Sequence, residues 1–306
     1  MLSFRQSKIK EIFSSGILFV YGLMFFLILA GGIFGTRLLV DHSRQEIVEG
    51  SKTSLYVLTQ LVNREMEEID KIAKILSTSP GVIAGLRADP SGLDLANKVL
   101  DRYAEGLASA VCYALDLQGK VIASSNREQP DSFVGQSYYF REYFKEGMEG
   151  KAARSFLVGK TSQKKGYYSS CPVYDSNGKI IGLVVAKKDA DALIENFKKF
   201  PHSFLLDPDG TIFFSDANDL SSLQFEPTMK EFLKILNKES ETKNKSGVML
   251  NQDFLKDGQE IVLHKHRHFI FKSRVSLDHW QVMYIVSADQ MVFYQFFGVI
   301  VTALFF

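Results

Sequence analysis

The stretch Val111-Cys-Tyr-Ala-Leu-Asp-Leu-Gln-Gly-Lys-Val-Ile-Ala-Ser-Ser125 decides the fold. Two short apolar runs flank Asp116-Leu-Gln-Gly119, and a strand, an Asp-x-x-Gly turn and a second strand form a hairpin signature. The same arrangement recurs twice. Tyr167–Tyr174 leads through Asp175-Ser-Asn-Gly178 into Ile180–Ala186, and Ser203–Leu206 leads through Asp207-Pro-Asp-Gly210 into Thr211–Phe214. Further strands are predicted at Ile261–Leu263, Phe269–Ser273 and Trp280–Val286. Two successive units of mixed strand and helix, each about 90 residues long, thus form a weak internal repeat.

Upstream of these units the pattern is helical. Leu55, Leu58, Val62, Ile69, Ile72, Ala73 and Leu76 recur at spacings of three and four with Glu and Lys between them, and Pro80-Gly81 closes the run. A helix from Asp41 to Ser79 would be roughly 55–60 Å long. Its apolar stripe fits either an amphipathic helix lying on its own domain or a dimer seam, and different faces can serve both.

The two ends are the most apolar parts. Residues 12–36 carry no charge and include Ile17-Leu-Phe-Val-Tyr-Gly-Leu-Met-Phe-Phe-Leu-Ile-Leu-Ala30, and about 20 helical residues cross a bilayer. Arg5, Lys8 and Lys10 precede this run, which predicts a cytoplasmic N-terminus and an exported loop of about 250 residues. A cleaved signal peptide would have an apolar region of roughly 7–15 residues, and Ala30-Gly-Gly32 makes a poor cleavage site. Residues 291–306 are again uncharged, 16 in all. That is short for a span, and reads as the start of a second transmembrane helix in a longer protein.

Composition limits the rest. With 306 residues, 46% of them apolar and only 29 Gly plus Pro, the chain can bury a core and is neither collagenous nor disordered. Thirty-six basic residues against 35 acidic leave no excess for wrapping a phosphate backbone, so nucleic acid is excluded as a partner. The two cysteines, Cys112 and Cys171, rule out a disulfide scaffold and a cysteine-rich zinc module. No P-loop, kinase catalytic motif or Gly-x-Ser-x-Gly elbow occurs. No catalytic residue, metal ligand or cofactor is assigned.

Ala123-Ser-Ser-Asn-Arg-Glu-Gln-Pro-Asp-Ser-Phe-Val-Gly-Gln-Ser-Tyr-Tyr-Phe-Arg-Glu-Tyr-Phe144, Gly159-Lys-Thr-Ser162, Gly166-Tyr-Tyr168, Cys171-Pro-Val173 and Gly182-Leu-Val-Val-Ala-Lys-Lys-Asp189 resemble the periplasmic sensor of C4-dicarboxylate sensor histidine kinases. The resemblance is strongest over about residues 110–215 and weaker over 216–288. It implies an α+β fold with a long N-terminal helix followed by two PAS-like units, a double Cache domain, flanked by transmembrane helices. The implied organisation is a cytoplasmic N-terminus (1–11), a transmembrane helix (12–36), a long signalling or dimer helix (37–79), a membrane-distal ligand-binding unit (80–200), a membrane-proximal unit (201–288) and the start of a second transmembrane helix (291–306). The protein would lie in the inner membrane as a homodimer with its sensor region outside. It would act on a cognate response regulator through a further cytoplasmic region.

The resemblance also places Tyr138, Arg141, Thr161 and Lys187, with Ser162 and Tyr167, around a small organic acid. The residue types suit that task. A carboxylate that loses its hydration needs charged donors in return; Arg141 offers a planar fork and Lys187 a compact charge. Tyr139, Phe140 and Phe144 are expected in the core, Asp189 as a helix cap or a partner of Lys187, and Lys164-Lys165 in an exposed turn. Two positions depart from the family pattern: Glu142 stands where proline is usual and Lys188 where an apolar residue is usual. His264-Lys-His-Arg-His268 would put three imidazoles on one strand face, either as a solvent-facing basic strand or as a Zn²⁺ or Cu²⁺ site. Alternatives to a kinase sensor are a chemoreceptor or cyclic-dinucleotide enzyme with the same sensor, a catalytic ectodomain, and a sensor that responds to a partner protein.

Overall fold

The computed structural model describes residues 2–87, 90–107, 110–215, 257–263 and 266–304. Residues 216–256, which fall within the predicted proximal unit, and His264 and Lys265 lie outside the described residues.

Helix α1, Leu2–Ser77, runs unbroken for 76 residues. Among the described residues it is the one helix long and apolar enough to cross a membrane, and Phe19, Phe26 and Phe34 stand exposed along that part. Beyond it the helix becomes amphipathic. Leu55, Leu58, Val62, Met66, Ile69, Ala73 and Leu76 are buried against the sheets, so a dimer seam would have to use another face. Helix α2, Pro80–Leu86, starts where α1 stops, with Pro80 at its first position, where its missing N–H is no loss. Helix α3, Pro90–Glu105, packs against α2.

Two five-stranded antiparallel sheets follow. The first contains β1 (Ala110–Leu115), β2 (Val121–Ser124), β3 (Ala153–Val158), β4 (Lys165–Tyr174) and β5 (Ile180–Asp189) in the order β2-β1-β5-β4-β3. Helix α4, Glu142–Met148, lies between β2 and β3 in sequence, and α5, Asp191–Lys198, follows β5. The second sheet contains β6 (Ser203–Leu206), β7 (Ile212–Ser215), β8 (Gln259–Leu263), β9 (His266–Arg274) and β10 (Gln281–Ser287) in the order β7-β6-β10-β9-β8. The permutation is the same in both sheets, which is what the weak repeat in the sequence encodes.

The Asp-x-x-Gly turns explain why the hairpins form. Asp116 Oδ1 accepts the backbone N–H groups of Gln118 and Lys120, both at 2.9 Å. Asp175 accepts those of Asn177 and Lys179, and Asp207 those of Asp209 and Thr211. Gly119, Gly178 and Gly210 hold φ of +76°, +75° and +81°, a left-handed conformation that glycine adopts without steric cost.

Side chains alternate across the first sheet. Cys112, Ala114, Tyr167, Cys171, Val184 and Ala186 face the core shared with the helices. Tyr113, Leu115, Tyr168, Leu183 and Val185 face a second cluster with Tyr138, Tyr143 and Phe144. Both cysteines are buried and unpaired. Where the two sheets meet, Phe156 of β3 packs on Trp280 and Phe213 at ring distances of 4.8 and 5.6 Å.

Helix α6, Asp289–Leu304, returns along α1 and is shorter than a full crossing. Thr36 and Thr302 bond back to the carbonyls of Gly32 and Gly298. Each glycine faces the threonine of the other helix, so closely that a Cβ would lie 2.1 Å from Thr302 Oγ1 or 2.0 Å from Thr36 Oγ1.

Candidate functional site

A small cavity lies on the face of the first sheet opposite α1. Tyr113, Phe133, Tyr138, Arg141, Tyr143, Gly159, Lys160, Thr161 and Tyr168 line it. At about 10 Å³ it has room for roughly one water molecule. The segment 159–164 closes it. Gly159 N–H bonds Lys164 O, and Gln163 N–H bonds Gly159 O. Thr161 Oγ1 is 2.8 Å from Tyr138 OH, while Ser162 Oγ accepts from Lys187 Nζ at 3.0 Å.

The phenols form a connected set. Tyr113 OH and Tyr143 OH are 3.0 Å apart, and Tyr143 stacks on Tyr168 at 6.0 Å. Burial raises the pKa of Tyr113, Tyr138 and Tyr168, and pushes that of Tyr143 up to about 12. All four therefore remain neutral hydroxyls able to donate to an anion.

Two cations stand at the cavity, one at the start of α4 and one on β5. Arg141 occupies the N-cap position of α4, its Nη2 donates to Val158 O at 3.0 Å, and its guanidinium lies over Phe140. Lys187 is 2% exposed and pairs with Asp189 at 2.6 Å. Its ammonium is 5.7 Å from the Phe133 ring centre and 5.9 Å from that of Tyr168. Asp189 thus partners Lys187 and caps no helix; α5 has Ala190 at its N-cap position and no side-chain cap.

Tyr138, Arg141 and Thr161 line the cavity, and Ser162 and Lys187 join them at its edge. Tyr167 does not. Its hydroxyl donates to Asp70 of α1 at 2.8 Å, and Arg154 approaches the same carboxylate at 3.5 Å. Successive strand residues point to opposite faces, so Tyr168 enters the cavity instead. The pairing of Tyr168 with Lys187 across β4 and β5 is the signal that could have found it. The expectation that Tyr139 and Phe140 are core is also corrected. They are 63% and 40% exposed, because they lie in the turn before α4; Phe144, inside the helix, is buried.

Neither family departure reaches the cavity. Glu142, in the first turn of α4, is exposed and pairs with Lys145 at 3.1 Å. Lys188 points to the opposite face of the sheet, where it bonds Glu65 and lies 3.4 Å from Glu68.

In the second sheet, His266 Nδ1 is 2.9 Å from Asp289 Oδ1 at the start of α6. Among the described residues no cluster of three or more His, Cys, Asp or Glu side chains could hold a metal.

Two matching antiparallel sheets behind a long helix, with a phenol-lined, cation-edged cavity in the first, define an α+β fold of the double Cache type. The chain belongs to the Cache domain family: the dCache_1 model matches residues 41–293. It is 29% identical over 179 residues to the C4-dicarboxylate transport sensor protein DctB of Rhizobium meliloti (strain 1021), covering 57% of this chain and 28% of that protein. The DctB of Pseudomonas aeruginosa PAO1 is also 29% identical, over 57% of this chain and 29% of that protein. The chain therefore spans under a third of these relatives.

Among solved structures, the Vibrio cholerae DctB sensor domain superposes with a TM-score of 0.60 at 19% identity, covering 79% of this chain and 97% of that one. The sensory domain of the Campylobacter jejuni chemoreceptor Tlp3 with isoleucine bound gives 0.61 at 14% identity, over 83% and 98%. At these identities the shared property is the fold.

Proposed function

We infer that this chain is the sensing portion of a membrane signalling protein that binds a small carboxylate, a C4-dicarboxylate or a close analogue, in the cavity of the first sheet. The observation that carries this reading is one cavity lined by Arg141 and the hydroxyls of Tyr138, Thr161 and Tyr168, with Lys187 beside it through Ser162 and the Tyr168 ring. Two cations with neutral donors beside them suit a short dianion, since each carboxylate exchanges hydration for charge-assisted bonds.

The segment 159–164 would open to admit the ligand and close on it, and the difference in affinity between those two states would supply the signal. The first sheet would then be the membrane-distal unit and the second the transmitting unit. α1 and α6 would carry the change through the membrane as two spans. Pairing of two protomers would use the face of α1 that bears Tyr56, Val57 and Ile75, all exposed. A histidine kinase output acting on a response regulator, with the sensor in the periplasm, extends the resemblance to the DctB proteins, of which this chain corresponds to a part.

Titration calorimetry of the chain in detergent with succinate tests the reading. One site per chain is expected, with binding lost in Arg141→Ala, because a hydrogen bond to a charged group contributes about 1.5–3 kcal/mol. Unchanged affinity in folded Arg141→Ala protein would remove this residue from the site, and two sites per chain would show that the second sheet also binds.

A further inference from the structure

We propose that Asp189 is a built-in competitor for the ligand: its carboxylate holds Lys187 until an incoming carboxylate takes its place, and it then falls back on Lys164. This rests on the carboxylate reading above. Lys187 and Asp189 are two residues apart on β5 and therefore share a face. Their charges meet at 2.6 Å with side chains 2% and 13% exposed. The approach to Oδ1 does not satisfy hydrogen-bond geometry, so charge alone holds the contact and a better-directed acceptor can replace it. The other oxygen of Asp189 is 3.5 Å from Lys164 Nζ, whose side chain is 58% exposed.

The consequences concern selectivity. A buried lysine without a counter-charge would be costly, and Asp189 supplies that charge in the closed cavity. An anion that reaches Lys187 exchanges one carboxylate for another, so most of the Coulombic gain cancels and affinity depends on how well the new acceptor is directed. A neutral ligand cannot make the exchange. Lys164 belongs to the segment that closes the cavity, so transfer of Asp189 to Lys164 ties that segment down as the ligand enters.

Calorimetric titration of succinate into the full chain in detergent, at low salt, tests this with wild type, Asp189→Asn and Lys164→Gln. Asp189→Asn keeps the shape and removes the competing charge; it should bind about tenfold more tightly. Equal or weaker binding by folded Asp189→Asn, with wild type binding normally, overturns this proposal and leaves the carboxylate reading intact. Absence of succinate binding in both proteins overturns both. If Asp189→Asn does not fold, Lys164→Gln decides. Its change lies at an exposed side chain, and it should bind about threefold more weakly, whereas unchanged affinity overturns the exchange.

Discussion

Lys187 and Lys188 are adjacent in β5, yet their ammonium groups lie on opposite faces of the sheet, one bonded to Ser162 at the cavity and the other to Glu65 of α1. Tyr168 and Tyr167 repeat the division on β4, where they pair with Lys187 and Lys188 respectively. Two neighbouring strand pairs therefore connect the cavity to the long helix through the thickness of one sheet.

Lys188→Met should separate stability from binding. The variant loses the contacts to Glu65 and Glu68, while those carboxylates, 25% and 50% exposed, can regain water. A loss of about 1–2 kcal/mol in urea denaturation is expected, with succinate affinity within about threefold of wild type. A larger loss of affinity would mean that the two faces are not independent.

The tyrosines make the opposite comparison. Tyr167→Phe removes a donor from Asp70 and should lower stability by about 1–3 kcal/mol without changing ligand affinity. Tyr168→Phe should weaken binding with little effect on the melting temperature. If the two variants behave the other way round, the strand has been read in the wrong phase.

Gly298→Leu should push α6 away from α1, because a Cβ at this position would sit 2.0 Å from Thr36 Oγ1. Small residues let helices approach closely, and the side chain at the crossing sets the interaxial distance over a range of about 2 Å. Spin labels on the two helices should report a separation larger by on the order of 2 Å. An unchanged distance would show that the helices are not held at this contact.

His268 should make the second sheet sensitive to acid. Burial lowers its pKa below the ordinary 6.5, against the opposing influence of Asp289. The unfolded chain binds this proton near pH 6.5, and the folded chain only at lower pH. The contribution is therefore fully present above pH 6.5 and is lost as the pH falls through the folded value. The melting temperature should drop between pH 7.5 and 5.5, and His268→Gln should show a smaller drop. Equal drops in both proteins would assign the effect to other groups.

Much of this molecule is determined by local sequence. The Asp-x-x-Gly turns carry their own hydrogen bonds, so Asp116, Asp175 and Asp207 announce three hairpins without help from the rest of the chain. The apolar run of α1 and its later three-and-four spacing are equally local, as is the set of residue types around Arg141. Tertiary structure decided what strand register and chain reversal control. Tyr168 rather than Tyr167 enters the cavity because side chains alternate about a sheet whose phase is set by pairing with β5. Asp189 neutralises Lys187, and Lys188 finds Glu65, 123 residues earlier in the chain. A charge on a strand does not show from its own position which face it occupies or which partner it meets; only the packing of α1 against one side of the sheet makes that choice.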